Sequence, residues 1–456
     1  MTELNETESL MSSDEEVLYT NDDTEEPNIE QGKEINSDQK DEEICSLYRK
    51  CQKGRLNTQP DYQRHYVWDN KKASRLIESI FLNIPIPMIY MAESNDTINV
   101  IDGQQRLTAI FNYLDGKFAL TGLVAFPQFN KLKYQDLPPE FQNKLDEYSI
   151  RTITFKNNTA PNLQFEIFSR LNTGAVALND QELRNCVYRG PFNDLIKDLA
   201  KNEKFLKILG LKEQHKRMQD IELVLRFFGF YIKTYLNYKA PMKSFLNETI
   251  SSQNSVIATD KHKIEEYTKI FNQTVNNVYS LLGENCFRRY VKNKNDNTGS
   301  WDSKRFNVSL YDILMWSMSR IDQNMLMRHK DAIREAYIEL MVSNDDFVKS
   351  IQMSTSDPEF VKRRFRIWEQ TLDEIVGDDK VEPRAFSLEL KQKLFDANPT
   401  CEICGQRITH IDDAAIDHVE QYWMGGRTTE ENARLAHRYC NNARARKEAQ
   451  EKSQSE

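Results

Sequence analysis

The chain has 456 residues, 39% hydrophobic and 29% charged, enough apolar mass for packed cores at a length that fits about two to four domains. No run of about 20 apolar residues is present, which argues against a membrane span, and the opening MTELNETESL has neither the basic start nor the apolar core of a secretion signal. The net charge of −9 is unevenly spread: residues 1–43 hold 16 Asp and Glu against two Lys, a net −14, so the rest carries +5 and suits an anionic partner.

Residues 1–43 are acidic, Ser/Thr/Asn-rich and poor in aromatics, a composition that predicts a disordered tail. Such a tail is either a plain solvated segment or a charge mimic that competes with nucleic acid for basic surfaces. From 44 to 200 the pattern is mixed. The spacing over Ala73–Leu82 predicts a helix with Leu76, Ile77, Ile80 and Phe81 on one face, stopped by Pro85 and Pro87. Met88–Ala92 and Ile98–Ile101 read as strands. Asp102-Gly103 ends the second, and Gln104–Leu114 restarts as helix. A strand, a glycine turn and a helix start aim backbone N–H groups at an anion, and Arg106 adds a bidentate fork.

From 201 to 376 the chain reads as mostly helical, with wide apolar faces over Ile221–Tyr235 and Leu310–Ile321 and a polar loop at Asn293–Ser303. The segment Asp357–Trp368 opens a helix, with Asp357 as N-cap and Pro358 at the first helical position. Its Lys362, Arg363, Arg364 and Arg366 alternate with Phe365 and Trp368, which fits either an amphipathic helix with its aromatics inward or a nucleic-acid contact. Phe287–Lys294 poses the same choice. Residues 377–398 read as a linker with a lead-in helix, 399–450 as a compact module and 451–456 as a tail.

Seven cysteines without a secretion signal point to a reducing cytoplasm. Cys45, Cys51, Cys186 and Cys286 lack a partner pattern and read as ordinary thiols. The other three crowd into the last module as Cys401-Glu-Ile-Cys404, then His437-Arg-Tyr-Cys440. Two ligand pairs, each with two residues between, suit a tetrahedral structural Zn2+, and a module this small has too little core to be secure without one. Between the pairs lie Ala415–Val419, ending in Asp417-His418, then Gly425-Gly426, Asn432 and a return segment Ala433–Ala436; Asn441 then opens a polar helix. His410 falls outside this pattern and reads as a loop residue.

This strand–loop–strand–helix between zinc pairs resembles the ββα-metal fold of HNH endonucleases. Asp417-His418, Asn432 and Asn441 occupy the motif positions, with Asn441 where many members carry His and His437 where many carry Cys. The resemblance implies His418 as general base, Asp417 and Asn441 as ligands of a catalytic Mg2+ or Mn2+, and Asn432 as a brace for the loop that orients His418. These residue types suit phosphodiester hydrolysis: imidazole accepts a proton near neutral pH, and a hard cation takes oxygen ligands. Arg444, Arg446 and Lys447 are candidate phosphate contacts.

The segment Asp102-Gly103-Gln104-Gln105-Arg106 follows Gln63-Arg64 and precedes Phe168-Ser-Arg170-Leu-Asn172 and Leu178-Asn179-Asp-Gln181-Glu182-Leu-Arg184. Together these resemble the GmrSD-like DGQQR domain, related to the ParB/sulfiredoxin fold. The resemblance implies a nucleotide or phosphate pocket built from Asp102, Gly103, Gln104, Gln105 and Arg106 with Gln63 and Arg64 nearby. It also implies pairing with a nuclease in bacterial restriction or anti-phage defence, and in some members hydrolysis of a nucleoside triphosphate. No Walker-type phosphate loop is present. Asp102 either holds a metal ion or caps the turn, and Arg170 and Asn172 either line the pocket or serve a buried network.

The expected architecture is therefore an α+β multidomain chain: a ParB/sulfiredoxin-like domain over 44–200, a helical domain over 201–376 and a zinc-stapled HNH module. The expected activity is DNA cleavage gated by a nucleotide, with DNA, modified or phage-borne, as partner. A nucleotide-dependent DNA-binding regulator with an inactive HNH fold is the alternative.

Overall fold

A computed structural model of the chain describes residues 36–58, 66, 68–94, 97–156, 161–171, 178–293, 297–302, 305–377, 386–420 and 427–455. The chain divides after Arg189 into two compact units. No helix among the described residues is long and apolar enough to cross a membrane.

The first unit runs β1 (Ser37–Glu43), α1 (Ile44–Gln52), β2 (Leu56–Asn57), α2 (Asn70–Phe81), β3 (Ile89–Ser94), β4 (Thr97–Asp102), α3 (Gln104–Leu114), α4 (Pro139–Asp146), β5 (Ser149–Phe155), α5 (Pro161–Leu171) and α6 (Asp180–Val187). Its sheet has the order β1-β5-β3-β4-β2, antiparallel at β1/β5 and β3/β4 and parallel at β3/β5 and β2/β4. The apolar stripe read from the sequence buries Ile77, Ile80 and Phe81 of α2 in one core with Ile89, Val100, Leu107 and Ile110, while Leu76 is only partly buried against it. Asp69 caps α2 by accepting from Lys72 N at 2.7 Å.

Residues 37–43 differ from the expectation of a disordered tail up to 43; residues 1–35 lie outside the described residues. These seven residues form β1 because β5 offers both backbone partners and countercharge: Arg151 grips Asp41 through two bonds of 3.0 Å. Ladder hydrogen bonds outweigh the low strand propensity of Asp and Glu.

The second unit continues with α7 (Pro191–Leu199), α8 (Glu203–Leu209), α9 (Gln219–Lys233), α10 (Met242–Thr259), α11 (His262–Leu282), β6 (Tyr290–Lys292), β7 (Gly299–Trp301), α12 (Val308–Met318), α13 (Gln323–Ser343), α14 (Asp345–Gln352), α15 (Pro358–Val376), α16 (Leu388–Ala397), β8 (Ala414–His418), β9 (Ala433–His437) and α17 (Arg438–Ser455). The polar stretch 293–303 is not all loop, since β7 within it pairs antiparallel with β6. Helix α15 begins at the expected Asp357 cap, which accepts from Glu359 N at 2.8 Å. It turns Phe365 and Trp368 fully inward and leaves Lys362 and Arg366 exposed, so it is an amphipathic core helix. Arg364 goes inward too: with Arg226 it clasps Asp312, at 3.1 Å and at 2.6 and 2.9 Å, all three side chains at 1% exposure or less.

Candidate metal centre and nuclease site

Cys401, Cys404, His437 and Cys440 converge, with their ligand atoms all within 4.8 Å of one another. The first pair sits on a tight turn in which Gly405 N donates to Cys401 O at 2.8 Å and Cys401 N to Gln406 O at 2.9 Å. The second pair spans the junction of β9 and α17, which begins at Arg438, three residues earlier than the sequence suggests. His437 Nδ1 lies 3.4 Å from Cys404 Sγ and 3.9 Å from Cys440 Sγ. A tetrahedron with Zn–S of about 2.3 Å and Zn–N of about 2.0 Å has edges of this length, so the donor set fits zinc. Burial and the neighbouring thiols push the Cys440 thiol up to about 12, a penalty that a bound divalent cation would relieve.

Strand β8 pairs antiparallel with β9, placing His418 opposite Ala433 and Asp417 opposite Arg434. Asp417 is 3% exposed, and its Oδ2 accepts from Arg434 Nη2 at 2.6 Å and from Arg444 of α17. Arg444 also donates to the carbonyls of His418 and Val419, each at 3.2 Å. This face of α17 therefore lies against the end of β8; Asn441, three residues before Arg444 on the same helix, is half-buried. His418 Nε2 meets Thr428 Oγ1 at 3.1 Å, and the Phe386 ring lies 4.4 Å from the imidazole, centre to centre. Asn432 ties Glu420 to Arg427: its Oδ1 accepts from Glu420 N at 2.8 Å and its Nδ2 donates to the carbonyls of Glu420 and Arg427 at 3.0 and 2.9 Å. Arg446 reaches Asp345 at 3.1 Å, and Lys447 is exposed on α17.

In the first unit, β4 ends at Asp102 and α3 opens after Gly103, which has φ +97°. A Cβ there would lie 2.1 Å from Ile89 Cδ1, so both the turn and the close approach of β3 call for glycine. The guanidinium of Arg106 is turned back on its own turn, bonding Asp102 Oδ2 at 2.5 Å, Met88 O at 3.3 Å and Pro87 O. Gln104 is buried and Gln105 half-buried. Arg170 pairs with Glu166 at 2.9 Å. Gln63, Arg64 and Asn172 lie outside the described residues.

Residues 44–189 match the family model for the N-terminal domain of the GmrSD restriction endonuclease, and residues 401–447 match the model for the HNH endonuclease. The chain joins a GmrSD-like N-terminal domain to a C-terminal HNH domain. Neither a curated protein nor a solved structure matches it. The two domains support a nuclease of the GmrSD restriction type, a phosphodiester hydrolase with DNA as its implied substrate.

The HNH domain is fastened to the helices of its own unit. Arg438, 2% exposed, donates to Glu335 of α13 at 2.7 Å, and Lys391 of α16 joins the same carboxylate at 3.0 Å. Burial pulls the Lys391 ammonium down to about 8, although Glu335 works in the opposite direction. Asp412 accepts from Trp301 Nε1 at 2.8 Å and from Arg334, and Asn442 donates to Val342 O at 3.0 Å. None of these anchors was legible as such. Thr428, Phe386 and Arg434, which touch His418 or Asp417, were also missed, because no residue-type pattern marks a contact made across a loop or a strand pair.

Proposed function

We propose that this chain is a metal-dependent HNH endonuclease that hydrolyses DNA, with a nucleotide-responsive N-terminal domain of ParB/sulfiredoxin-like fold. The observation that carries the reading is the fixed placement of His418. It ends a strand that lies in sequence between the two candidate zinc-ligand pairs, its ring is held by Thr428 and Phe386, and Asn432 ties Glu420 to Arg427.

His418 takes the proton from the attacking water, which imidazole does effectively near neutral pH. Asn432 fixes the loop from which Thr428 reaches the ring. Asp417 and Asn441 offer the hard oxygen donors that Mg2+ or Mn2+ prefers, and such a cation, when bound, would neutralise charge on the phosphate and departing oxygen. Of the proposed phosphate contacts along α17, Lys447 is exposed, whereas Arg444 and Arg446 would exchange Asp417 and Asp345 for the DNA backbone. Cleavage of plasmid DNA in Mg2+ is expected to fall about 10²–10⁴-fold in His418→Ala; equal residual activity in the variant and the wild type would remove the assignment.

In the N-terminal domain, Asp102, Gly103, Gln104, Gln105 and Arg106, with Gln63 and Arg64, form the proposed nucleotide site. The start of α3 supplies the backbone N–H groups, and nucleotide binding or hydrolysis there would gate cleavage. Digestion of modified and unmodified DNA with and without each nucleoside triphosphate tests this: a rate indifferent to all of them sinks the gating. One observation favours the second reading, a DNA-binding regulator that does not cut. The Asp417 carboxylate already faces Arg434 and Arg444, which lowers its pull on a cation. Absence of Mg2+-dependent cutting with DNA binding retained would select it.

A further inference from the structure

His437 turns Nδ1 towards the thiols, so its other ring nitrogen, Nε2, points away from the ligand cluster. Nε2 has no hydrogen-bond partner, and neither does Asp413 Oδ2, which lies 3.8 Å from it. The two residues are 0% and 1% exposed, so bulk solvent does not reach these atoms. Buried polar atoms left unpaired are costly, and two that face each other are best explained by one interaction. A metal-bound imidazole carries its proton on the remote nitrogen, and a carboxylate there fixes the tautomer, aligns the ring and makes the ligating nitrogen a stronger donor.

The other oxygen of Asp413 is firmly held. Oδ1 accepts from the Tyr290 hydroxyl at 3.1 Å and from Gly299 N at 2.7 Å, so both donors come from the β6–β7 hairpin. The hairpin can approach this closely because residue 299 has no side chain: a Cβ would lie 2.4 Å from Tyr290 Cε1 and 2.8 Å from its hydroxyl oxygen. The same hairpin approaches the helix that carries Cys440, with Lys292 Nζ 5.7 Å above the Tyr439 ring.

We propose that Asp413 is the outer carboxylate that orients His437 for zinc, and that the β6–β7 hairpin, by gripping Asp413, is a working part of the zinc site. This rests on the assignment of zinc to Cys401, Cys404, His437 and Cys440. A segment more than a hundred residues upstream of the ligands then sets how tightly the ion is held. Asp413 acts here as a positioning residue, through His437.

The test is zinc affinity of the full chain, measured by competition with a chromophoric chelator. Asp413→Asn is expected to weaken binding about 10–100-fold, the usual cost of losing such a partner, and Tyr290→Phe to weaken it less. In a His437→Cys background, where no imidazole needs orienting, neither substitution should carry that cost. Unchanged affinity in Asp413→Asn, or an equal loss in both backgrounds, overturns the proposal. If Asp413→Asn fails to fold, Tyr290→Phe in the two backgrounds decides by the same criterion. A wild-type chain that binds no zinc removes the metal assignment itself and this inference with it, whereas stoichiometric zinc with unaltered affinity in the variants removes only the role of Asp413.

Discussion

The turn at Asp102-Gly103 and the Asp417-His418 end of β8 are both polar positions held in place, and the two regions hold them differently. The first rests on a broad apolar core in which Ile77, Ile80, Ile89, Val100, Leu107 and Ile110 are all fully buried. The second has a cluster of six buried residues, of which Cys401 and Cys440 belong to the group that could hold a metal ion and Ala414 and Ala436 are small. What the small cluster lacks in apolar area is supplied in part by buried charges shared with α13 and α16, and an ion held by Cys401, Cys404, His437 and Cys440 would supply the rest. A nuclease site organised in this way should fail when its ion or its scaffold is lost, whereas the N-terminal turn should be indifferent to both.

The sharpest way to break that contrast is to strip the metal. Structural zinc contributes on the order of 10–16 kcal/mol to modules of this kind. A strong chelator should therefore abolish amide hydrogen-exchange protection over 401–447 and leave α2 and α3 protected; loss in both regions, or in neither, would refute the comparison. Next in size is Asp312→Ala, which strands Arg226 and Arg364 without a counter-ion and should cost about 3–5 kcal/mol. In denaturant this should shift the unfolding of the second unit and not that of the first. Ile77→Ala should do the reverse, at about 2–5 kcal/mol for a fully buried isoleucine, with zinc content unchanged by metal analysis.

The parts legible in the sequence are those written in local chemistry. Asp102-Gly103 marks the end of β4 and the start of α3 because a chain reversal there calls for a left-handed residue. Asp357-Pro358 opens α15 because cap and first turn are set by adjacent residues. The Cys401/Cys404 and His437/Cys440 pairs announce by their spacing the cluster that could hold a metal ion. What was hidden depends on partners far along the chain. β1 forms only because β5 supplies a ladder and Arg151. β7 sits in a stretch as polar as any loop and is a strand because β6 pairs with it. Asp412 and Asp413 carry no signal in the local sequence, yet each is 2% exposed or less, because Arg334, Trp301, Tyr290 and Gly299 arrive from elsewhere. The same holds at Asp417, where Arg434 is a cross-strand neighbour and Arg444 belongs to the next helix.

The acidic strand β1 has a consequence for the protein in concentrated solution. It occupies the rim of the five-stranded sheet, where unsatisfied backbone groups would otherwise recruit a strand from another molecule. The strand carries Asp38, Asp41, Glu42 and Glu43 against the single Lys40, so a second copy zippering onto it would meet a strand of the same net negative charge. The strand thus finishes the sheet and shields it from self-association.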